Sequence, residues 1–294
     1  MNGRPQSTTV REFMHLADFL CEKGYRIGPT IGEGTHAKVK IVERTKDGKI
    51  LALKIVNVKK ANKDYVKKFM PRELKLVLDL VHPNIIATHQ IMHMDDQVFF
   101  VMDYAQRGDL LSYIKKRGML EQSEAKKIFI QLAKALEYLH TEEIAHRDLK
   151  CENVLMMADD RVVLTDFGFA RSIKSDDGDL LSRTFCGSSA YASPELVQGI
   201  PYDPKPNDVW GLGCILYIMI CGKMPFDDRS LKRMLYKQLA RKIEFPDKVS
   251  AMMDTECKTL IYTMLEPAVE KRMSITQVLM SEWLKEKCLN DKDD

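Results

Sequence analysis

The chain has 294 residues, of which 45% are hydrophobic and 30% are charged, and its formal net charge is +3. These values are typical of an ordinary globular protein with one large core or two lobes, which excludes a disordered chain. A net charge this small gives no reason to expect a nucleic-acid or membrane partner.

The seven cysteines lie far apart and form no C-x-x-C pair, so the sequence predicts neither a zinc site nor a disulfide framework. Free thiols favour a reducing compartment, and we expect a monomer in the cytoplasm, or in both cytoplasm and nucleus. The N-terminus lacks the continuous apolar run of a signal peptide. The most apolar stretch, 209–221, is too short to cross a bilayer and predicts a buried helix.

The first hundred residues predict a small antiparallel sheet with one main helix. Residues 13–20 predict a short amphipathic helix packed on the domain, with a partner-binding helix as the alternative. Apolar residues at helical spacing predict a second helix over about 63–81, which Pro71 breaks or restarts. Strands are predicted at 25–31, 38–43, 50–56, 86–93 and 98–102.

After Gly108 the pattern becomes mainly helical. Residues 123–140 predict a strong amphipathic helix, with Ser123 as its N-cap. Two very short strands, 154–156 and 162–164, precede a long irregular loop. Further helices are predicted at 208–221, 230–241, 255–265 and 274–283.

These elements predict an α+β fold with two lobes. A small antiparallel β lobe with one main helix would cover 25–104, and a larger, mostly helical lobe would cover 105–283. Residues 1–24 would be an N-terminal extension, and 284–294 a frayed tail.

Residues 146–153, here called the catalytic stretch, together with Asp166-Phe167-Gly168 provide the groups that phosphoryl transfer requires. Asp148 can orient a hydroxyl nucleophile, and Lys150 can neutralise charge on the transferring group. Asn153 and Asp166 can hold Mg²⁺ on the phosphates of a nucleotide. An ordinary turn aspartate is the alternative for Asp166.

Lys54 lies inside an apolar strand, where an unpaired ammonium group is costly to bury. Glu73, on the predicted long helix, is its natural partner. The pair would hold Lys54 against the α- and β-phosphates of ATP. A surface lysine at a strand end is the alternative.

The turn between the first two strands is rich in glycine, which lets backbone amides approach phosphates. A plain hairpin turn is the alternative, and Ala37 stands where the usual G-x-G-x-x-G pattern has its third glycine. The candidate phosphate-binding residues are Gly32, Glu33, Gly34, Thr35, His36, Ala37, Lys38 and Val39.

The order and spacing of these motifs resemble eukaryotic protein kinases over about 25–283. Longer matches, such as 67–74, 148–153 and 184–188, resemble the testis-specific serine/threonine kinases of the calcium/calmodulin- and AMP-kinase-like group. The resemblance implies the bilobal kinase fold, germ-cell expression and a role in sperm development or function. Besides the residues above, it rests on Ser193-Pro194-Glu195, on 208–213 and on Arg272.

The resemblance also implies a nucleotide pocket. Backbone groups of Asp103 and Ala105 would bind the adenine base, and Met102 would lie at the back of the pocket. Asp109 would lie near the ribose. The residues implied to sandwich the base are Ile31, Val39, Ala52 and Leu155.

The acceptor implied by the resemblance is a serine or threonine hydroxyl. Lys150 and the adjoining Glu152-Asn153 resemble serine/threonine kinases rather than tyrosine kinases. The hydroxyl of Ser188 would contact Asp148 and Lys150. Asp109 and Glu152 would face basic residues upstream of the target, which predicts a preference for arginine or lysine there.

Thr184 lies where relatives carry an activating phosphate, with Ser182 as the competing position. Arg147 and Arg171 would clamp that phosphate. Two structural supports are implied as well: a buried ion pair between Glu195 and Arg272, and Asp208 holding the backbone at 146–147.

The sequence as a whole predicts a serine/threonine protein kinase that uses ATP and Mg²⁺ on protein substrates. An upstream activating kinase and chaperones are further expected partners. The alternatives are a catalytically inactive scaffold with a kinase fold and a kinase of small molecules.

Overall fold

The computed structural model of the chain describes residues 8–34, 37–61, 63, 65–173 and 188–285, without the side chains of 8–14 and 68. Two units are present. The first contains residues 1–81 and 86–105, and the second contains residues 82–85 and 106–294. Along the described parts of the chain, no helix combines the length and the apolar character needed to span a membrane.

The first unit is built on a five-stranded sheet in which every pair of neighbouring strands is antiparallel. All five predicted strands are present, and their spatial order is β1-β2-β3-β5-β4. Lys54 and Ala52 lie in the central strand β3, where Lys54 pairs with Phe100 and Ala52 with Met102 of β5. The strands are β1 Tyr25–Glu33, β2 Ala37–Arg44, β3 Lys49–Asn57, β4 Thr88–Met94 and β5 Gln97–Asp103.

The N-terminal helix α1, Thr8–Glu22, covers one face of this sheet and is longer than the sequence predicts. Leu16, Phe19 and Leu20 recur at helical spacing and pack on the buried strand residues. The Phe19 and Phe99 ring centroids are 5.6 Å apart. The helix α1 therefore contributes Leu16, Phe19 and Leu20 to the core of the first unit. The strand residues in this cluster include Val42, Leu51, Leu53, Phe99 and Val101.

The helical segment predicted over about 63–81 is divided near Pro71, as the sequence predicts, but it ends at Leu76 rather than near residue 81. A π-helical turn at Tyr65–Phe69 leads into the short helix α2, Met70–Leu76. Pro71 explains the break, because it lacks an N–H and its ring clashes with the carbonyl four residues earlier in a regular α-helix. Pro71 instead occupies the first turn of α2, where a missing N–H costs nothing.

In its described residues, the second unit is mainly helical and has four short strands. The predicted N-cap Ser123 is wrong: α4 begins at Gln122, and Glu121 occupies the N-cap position without a side-chain hydrogen bond. The helices are α3 Leu110–Arg117, α4 Gln122–Thr141, α5 Pro194–Val197, α6 Pro204–Cys221, α7 Leu231–Leu239, α8 Asp247–Met252, α9 Thr255–Met264 and α10 Ile275–Leu279. The strands are β6 Ile144–Ala145, β7 Val154–Met156, β8 Val162–Leu164 and β9 Arg171–Ser172.

The helix α6 forms the centre of this unit and is buried on nearly all sides. Gly211 lets the catalytic stretch pack directly on it. A Cβ at Gly211 would lie 3.0 Å from the Cβ of Leu149 and 3.1 Å from its carbonyl oxygen. The backbone of the catalytic stretch therefore rests against the most buried helix of the unit.

We predict that Leu20→Ala lowers the free energy of unfolding of the first unit by about 3 kcal/mol, because the side chain is fully buried against the sheet. Urea unfolding measures the change. Cys21→Ala, one residue further on the exposed side of α1, is the matched control and should stay within about 0.5 kcal/mol of the wild type. Equal effects of the two substitutions would mean that α1 does not belong to the core.

Candidate active site

In the first unit, Lys54 and Glu73 form the ion pair that the sequence predicts. Lys54 Nζ lies 2.8 Å from Glu73 Oε1, and the two side chains are 15% and 3% exposed. Glu73 is held on its other side by Tyr65, whose hydroxyl donates to Oε2 at 2.7 Å. The Nζ also lies 5.5 Å from the ring centroid of Phe100, a favourable cation–π distance. The ammonium group thus has a fixed position at the middle of the sheet.

Sequence reasoning missed Tyr65. Residues eight apart on a regular α-helix differ in direction by about 80°, so Tyr65 and Glu73 would not share a face. The π-helical turn at Tyr65–Phe69 changes that geometry, and no pattern in the sequence announces such a turn.

Around the glycine-rich turn, Gly32 pairs with Val39 and Glu33 with Lys38 across β1 and β2. Among the described residues other than its chain neighbours, a Cβ on Gly32 or Gly34 would approach no atom closer than 3.8 Å, and neither glycine has a positive φ. The fold itself therefore does not demand glycine at these two positions. Space left for a group outside the chain, such as a phosphate, is a sufficient reason for them. The candidates Thr35 and His36 lie outside the described residues.

The candidates for adenine binding in this unit lie on the strands β1, β2, β3 and β5 and just after β5. Val39 lies in β2 and Ala52 lies in β3. Ile31 lies in β1 and is 45% exposed. The amide of Asp103 already donates to the carbonyl of Ala87 at 3.0 Å, which leaves only its carbonyl to a base. The amide of Ala105 donates to no acceptor among the described residues.

The side chain of Asp103 binds within its own unit. It accepts hydrogen bonds from His89 Nε2 at 2.8 Å and from Lys49 Nζ at 2.9 Å. Partial burial acts to raise the pKa of Asp103, but these two bonds outweigh it and hold the pKa below its ordinary value. The carboxylate thus connects β5 to Lys49 of β3 and to His89 of β4, and it remains charged.

In the second unit, Asp148 is almost completely buried and its carboxylate is held from three sides. Lys150 Nζ lies 2.6 Å from Oδ2, and Asn153 Nδ2 donates to the same oxygen at 2.9 Å. The backbone amide of Ser188 donates to Oδ1 at 3.1 Å. The predicted contact of the Ser188 hydroxyl is not seen among the described residues, and the main-chain amide takes its place.

Asn153 is oriented to offer an oxygen. Its Nδ2 donates both to the carbonyl and to the carboxylate of Asp148, at 2.9 Å each, so Oδ1 must point away from them. Oδ1 accepts no hydrogen bond from the described residues. Carboxamide and carboxylate oxygens are the ligands that Mg²⁺ prefers.

Asp166 follows β8 in the left-handed conformation, with φ 64° and ψ 73°. Within the described residues, no three His, Cys, Asp or Glu side chains lie close enough together to hold a metal ion. The amide of Thr165 donates to the carbonyl of Asn153 at 3.0 Å, which brings the segment that contains Asp166 next to Asn153. Asn153 and Asp166 would fit a Mg²⁺ ion that takes its remaining ligands from phosphates and water.

The carboxylate of Asp208, near the start of α6, holds the backbone of the catalytic stretch. It accepts from the amide of His146 at 2.8 Å and from that of Arg147 at 2.7 Å. Arg147 has a φ of 66°, which is costly for a residue with a Cβ. The two charge-assisted bonds offset this strain and fix the direction in which the chain enters Asp148.

His146, to which the sequence assigns no chemistry, connects the two loops of this half-site. Its Nε2 lies 3.1 Å from the Thr165 carbonyl, to which it donates, and its Nδ1 accepts from the Asp148 amide at 3.3 Å. Its ring packs against Phe167 at a centroid distance of 5.0 Å. In the sequence, only its position at the start of the catalytic stretch marks His146.

The two candidate carboxylates for substrate recognition lie close together. Asp109 caps α3 and accepts from the amide of Ser112 at 2.8 Å, and its backbone bridges to Leu155. Glu152 is exposed. Burial raises the pKa of the intervening Cys151 to about 12, and the charges of Glu152 and Asp109 act in the same direction. Cys151 is thus an unreactive thiol below a negative surface.

Of the candidates for regulation, Thr184 lies outside the described residues. Arg147 Nε donates to the carbonyl of Phe169 at 2.6 Å. Arg171 in β9 pairs with Ala145 in β6. Ala145 precedes Arg147 by two residues. The two arginines therefore lie near each other where the chain leaves the described region.

The buried ion pair of Glu195 and Arg272 is present as predicted. Arg272 Nη1 and Nη2 donate to the two carboxylate oxygens at 2.7 and 2.9 Å. The guanidinium also lies 5.1 Å from the ring centroid of Trp210. Ser193, where most kinases carry alanine, donates its hydroxyl to Asn207 at 2.8 Å and leaves no polar group unpaired.

Comparison with known proteins agrees with this geometry. Residues 25–284 match the family model described as the protein kinase domain. The chain is 46% identical over 279 residues to testis-specific serine/threonine-protein kinase 1 of Mus musculus, covering 93% of this chain and 75% of that protein. It is 41% identical to testis-specific serine/threonine-protein kinase 3 of Mus musculus, and the match covers 92% of this chain and 99% of that protein. It is 36% identical to testis-specific serine/threonine-protein kinase 4 of Homo sapiens, and the match covers 97% of this chain and 88% of that protein.

We predict that Glu195→Gln lowers the free energy of unfolding by about 3 kcal/mol, because it leaves the guanidinium of Arg272 buried without its counter-charge. Chemical unfolding monitored by tryptophan fluorescence gives the change, since Trp210 lies on Arg272. Glu270→Gln, an exposed glutamate two residues before Arg272, is the control. A loss no larger than that of the control would show that the pair does not stabilise the unit.

Proposed function

Because this chain belongs to the protein kinase domain family and is a serine/threonine-protein kinase, we propose that it transfers the γ-phosphate of ATP to serine and threonine hydroxyls of proteins. The observation that carries the proposal is the buried carboxylate of Asp148. Lys150, Asn153 and the Ser188 amide fix it in one orientation, with a candidate metal-binding oxygen on Asn153 beside it.

Each residue has a role that follows from its contacts. Asp148 orients the acceptor hydroxyl and takes its proton, and Lys150 stabilises negative charge on the transferring group. Glu73 holds Lys54 in place for the α- and β-phosphates. Asn153 and Asp166 would hold Mg²⁺, which supplies charge neutralisation on the phosphates.

An inactive scaffold with a kinase fold is the second candidate. Such proteins usually lack the reacting lysine or an aspartate, whereas Lys54, Asp148 and Asp166 are all present here. The contacts of Lys54 and Asp148 also give both groups fixed positions, which a scaffold does not require.

We predict that Asp148→Asn lowers kcat for phosphate transfer to a serine peptide by at least about a hundredfold, because the acceptor loses its base. The KM for ATP should change little. Asp159→Asn, an exposed aspartate beyond the site, should keep wild-type turnover. A wild-type protein as inert as Asp148→Asn would support the scaffold instead.

The finer proposal is activation by phosphorylation of Thr184. A phosphate there adds close to two negative charges, which Arg147 and Arg171 can pair. Because Arg147 directly precedes Asp148, that pairing would reinforce the backbone geometry of the site.

We predict that Thr184→Ala reduces kcat by at least about tenfold, while Ser182→Ala, the competing position, leaves it unchanged. Mass spectrometry of Asp148→Asn expressed in its own cells separates the sources of the phosphate. Phosphate on Thr184 of this variant would come from an upstream kinase, and its loss would indicate autophosphorylation. Full activity of unphosphorylated Thr184→Ala would contradict the proposal.

Substrate choice is proposed to favour arginine or lysine before the target residue, because Asp109 and Glu152 make this surface negative. We predict that Glu152→Gln weakens the preference for upstream arginine by several-fold in kcat/KM. A positional peptide library measures it, with the exposed Glu121→Gln as control. A wild-type profile without any basic preference would refute this assignment.

The relatives are named testis-specific, and we extend this to germ-cell expression and a role in sperm development. We further propose a monomer of the cytoplasm, or of cytoplasm and nucleus, that meets an upstream kinase and chaperones. Equal protein levels in testis and somatic tissues would contradict the germ-cell proposal.

A further inference from the structure

The second unit contains a cavity of about 370 Å³ that the proposed reaction does not use. It lies between the end of α4, the start of α6 and the segment 272–277. Its floor is apolar, with Val209 and Ile275 buried and Met273 half-buried. This volume is at the lower end of the range found for small-molecule sites.

His140 lines this cavity and is only 7% exposed. Its Nε2 lies 3.1 Å from Oδ2 of Asp208. Because that carboxylate oxygen accepts, Nε2 carries the proton, and in the neutral ring Nδ1 is then an acceptor. Nδ1 receives no hydrogen bond from any described residue. A donor bound in the cavity would satisfy this acceptor.

The other charges around the cavity also favour a donor. Glu137, one turn before His140 on α4, makes no hydrogen bond or ion pair with the described residues. Asp203 uses one oxygen to cap α6. Lys205 is neutralised by Glu143 at 2.9 Å, and Arg272 by Glu195. The net charge at the cavity is therefore negative.

An anion fits this cavity poorly. At the start of α10, Ser274 and Gln277 form a reciprocal capping box, which occupies the amides of these two residues. The start of α6 is capped by the carboxylate of Asp203. The cationic side chains on the wall already have counter-charges, so a phosphate or carboxylate would meet unpaired acceptors.

We propose that this cavity binds a small organic cation: an ammonium group on an apolar stem. The ammonium donates to Glu137 and to His140 Nδ1, and the stem lies on Val209, Ile275 and Met273. Donation to Nδ1 fixes the tautomer in which Nε2 donates to Asp208. Since Asp208 holds the amides of the catalytic stretch, the ligand stabilises the geometry of the site from behind.

The test titrates the full chain, labelled at methionine and isoleucine methyl groups, with 2-phenylethylamine and follows it by NMR. The resonances of Met273 and Ile275 should shift saturably. The uncharged 2-phenylethanol, of nearly the same shape, should bind at least about tenfold more weakly, because it lacks the charge-assisted hydrogen bonds. Equal binding of the alcohol, or no saturable shift of these two resonances, would overturn the proposal.

Two variants separate contact from general attraction. Glu137→Gln should weaken binding of 2-phenylethylamine about tenfold. Glu142 is an exposed residue nearby in the sequence that does not line the cavity, so Glu142→Gln should change binding less than about twofold. Equal weakening by both variants would mean that no specific site exists.

Coupling to the catalytic stretch has its own readout. Saturating 2-phenylethylamine should slow hydrogen exchange of the Arg147 amide several-fold in the wild type and not in Glu137→Gln. Unchanged exchange in the wild type with the cavity occupied would overturn the link to Asp208. Neither measurement depends on kinase activity.

Discussion

The carboxylate of Asp208 controls the shape of the catalytic stretch. It bonds two consecutive amides, those of His146 and Arg147, and it projects from α6, the most buried helix of its unit. Arg147 occupies a left-handed conformation that costs about 1–3 kcal/mol, and such strain persists only where surrounding contacts compensate for it. Asp148 comes next in the chain. The direction in which the chain enters Asp148 is therefore set by a residue sixty positions further along the sequence.

The same principle recurs in both units: a charged group is buried only where several donors or acceptors fix it. Glu73 is shared by Lys54 and Tyr65, and Arg272 is bound by Glu195 and stacked near Trp210. Removing one member of such a set leaves an unpaired buried charge, which costs more than the intact set contributes. These sets therefore give position more than stability. Position is what phosphoryl transfer requires, because its catalysis is largely orientation and electrostatic stabilisation.

Local sequence patterns were sufficient for the strands, for most helices of the second unit and for the ion pair of Lys54 and Glu73. The ion pair of Glu195 and Arg272 was predicted from the family resemblance instead. The errors arose where a distant contact or a rare backbone state decides the outcome. The helix after Pro71 ends at Leu76 rather than near residue 81, and the π-helical turn before Pro71 brings Tyr65 to Glu73. The role of His146 depends on a carbonyl nineteen residues away, and Ser188 reaches Asp148 through its backbone rather than its hydroxyl. Periodicity and motif spacing contain no information on such contacts.

The most direct test of the account is to replace Asp208 with asparagine and measure two quantities on the same protein. The side chain of asparagine accepts hydrogen bonds at its oxygen but not at its nitrogen. Hydrogen exchange of the backbone amides of His146 and Arg147 should therefore accelerate, while exchange in the first unit stays unchanged. The rate of phosphate transfer should fall at least about tenfold, with little change in the KM for ATP. Faster exchange at both amides with an unchanged transfer rate would contradict the claim that Asp208 sets the geometry of the site.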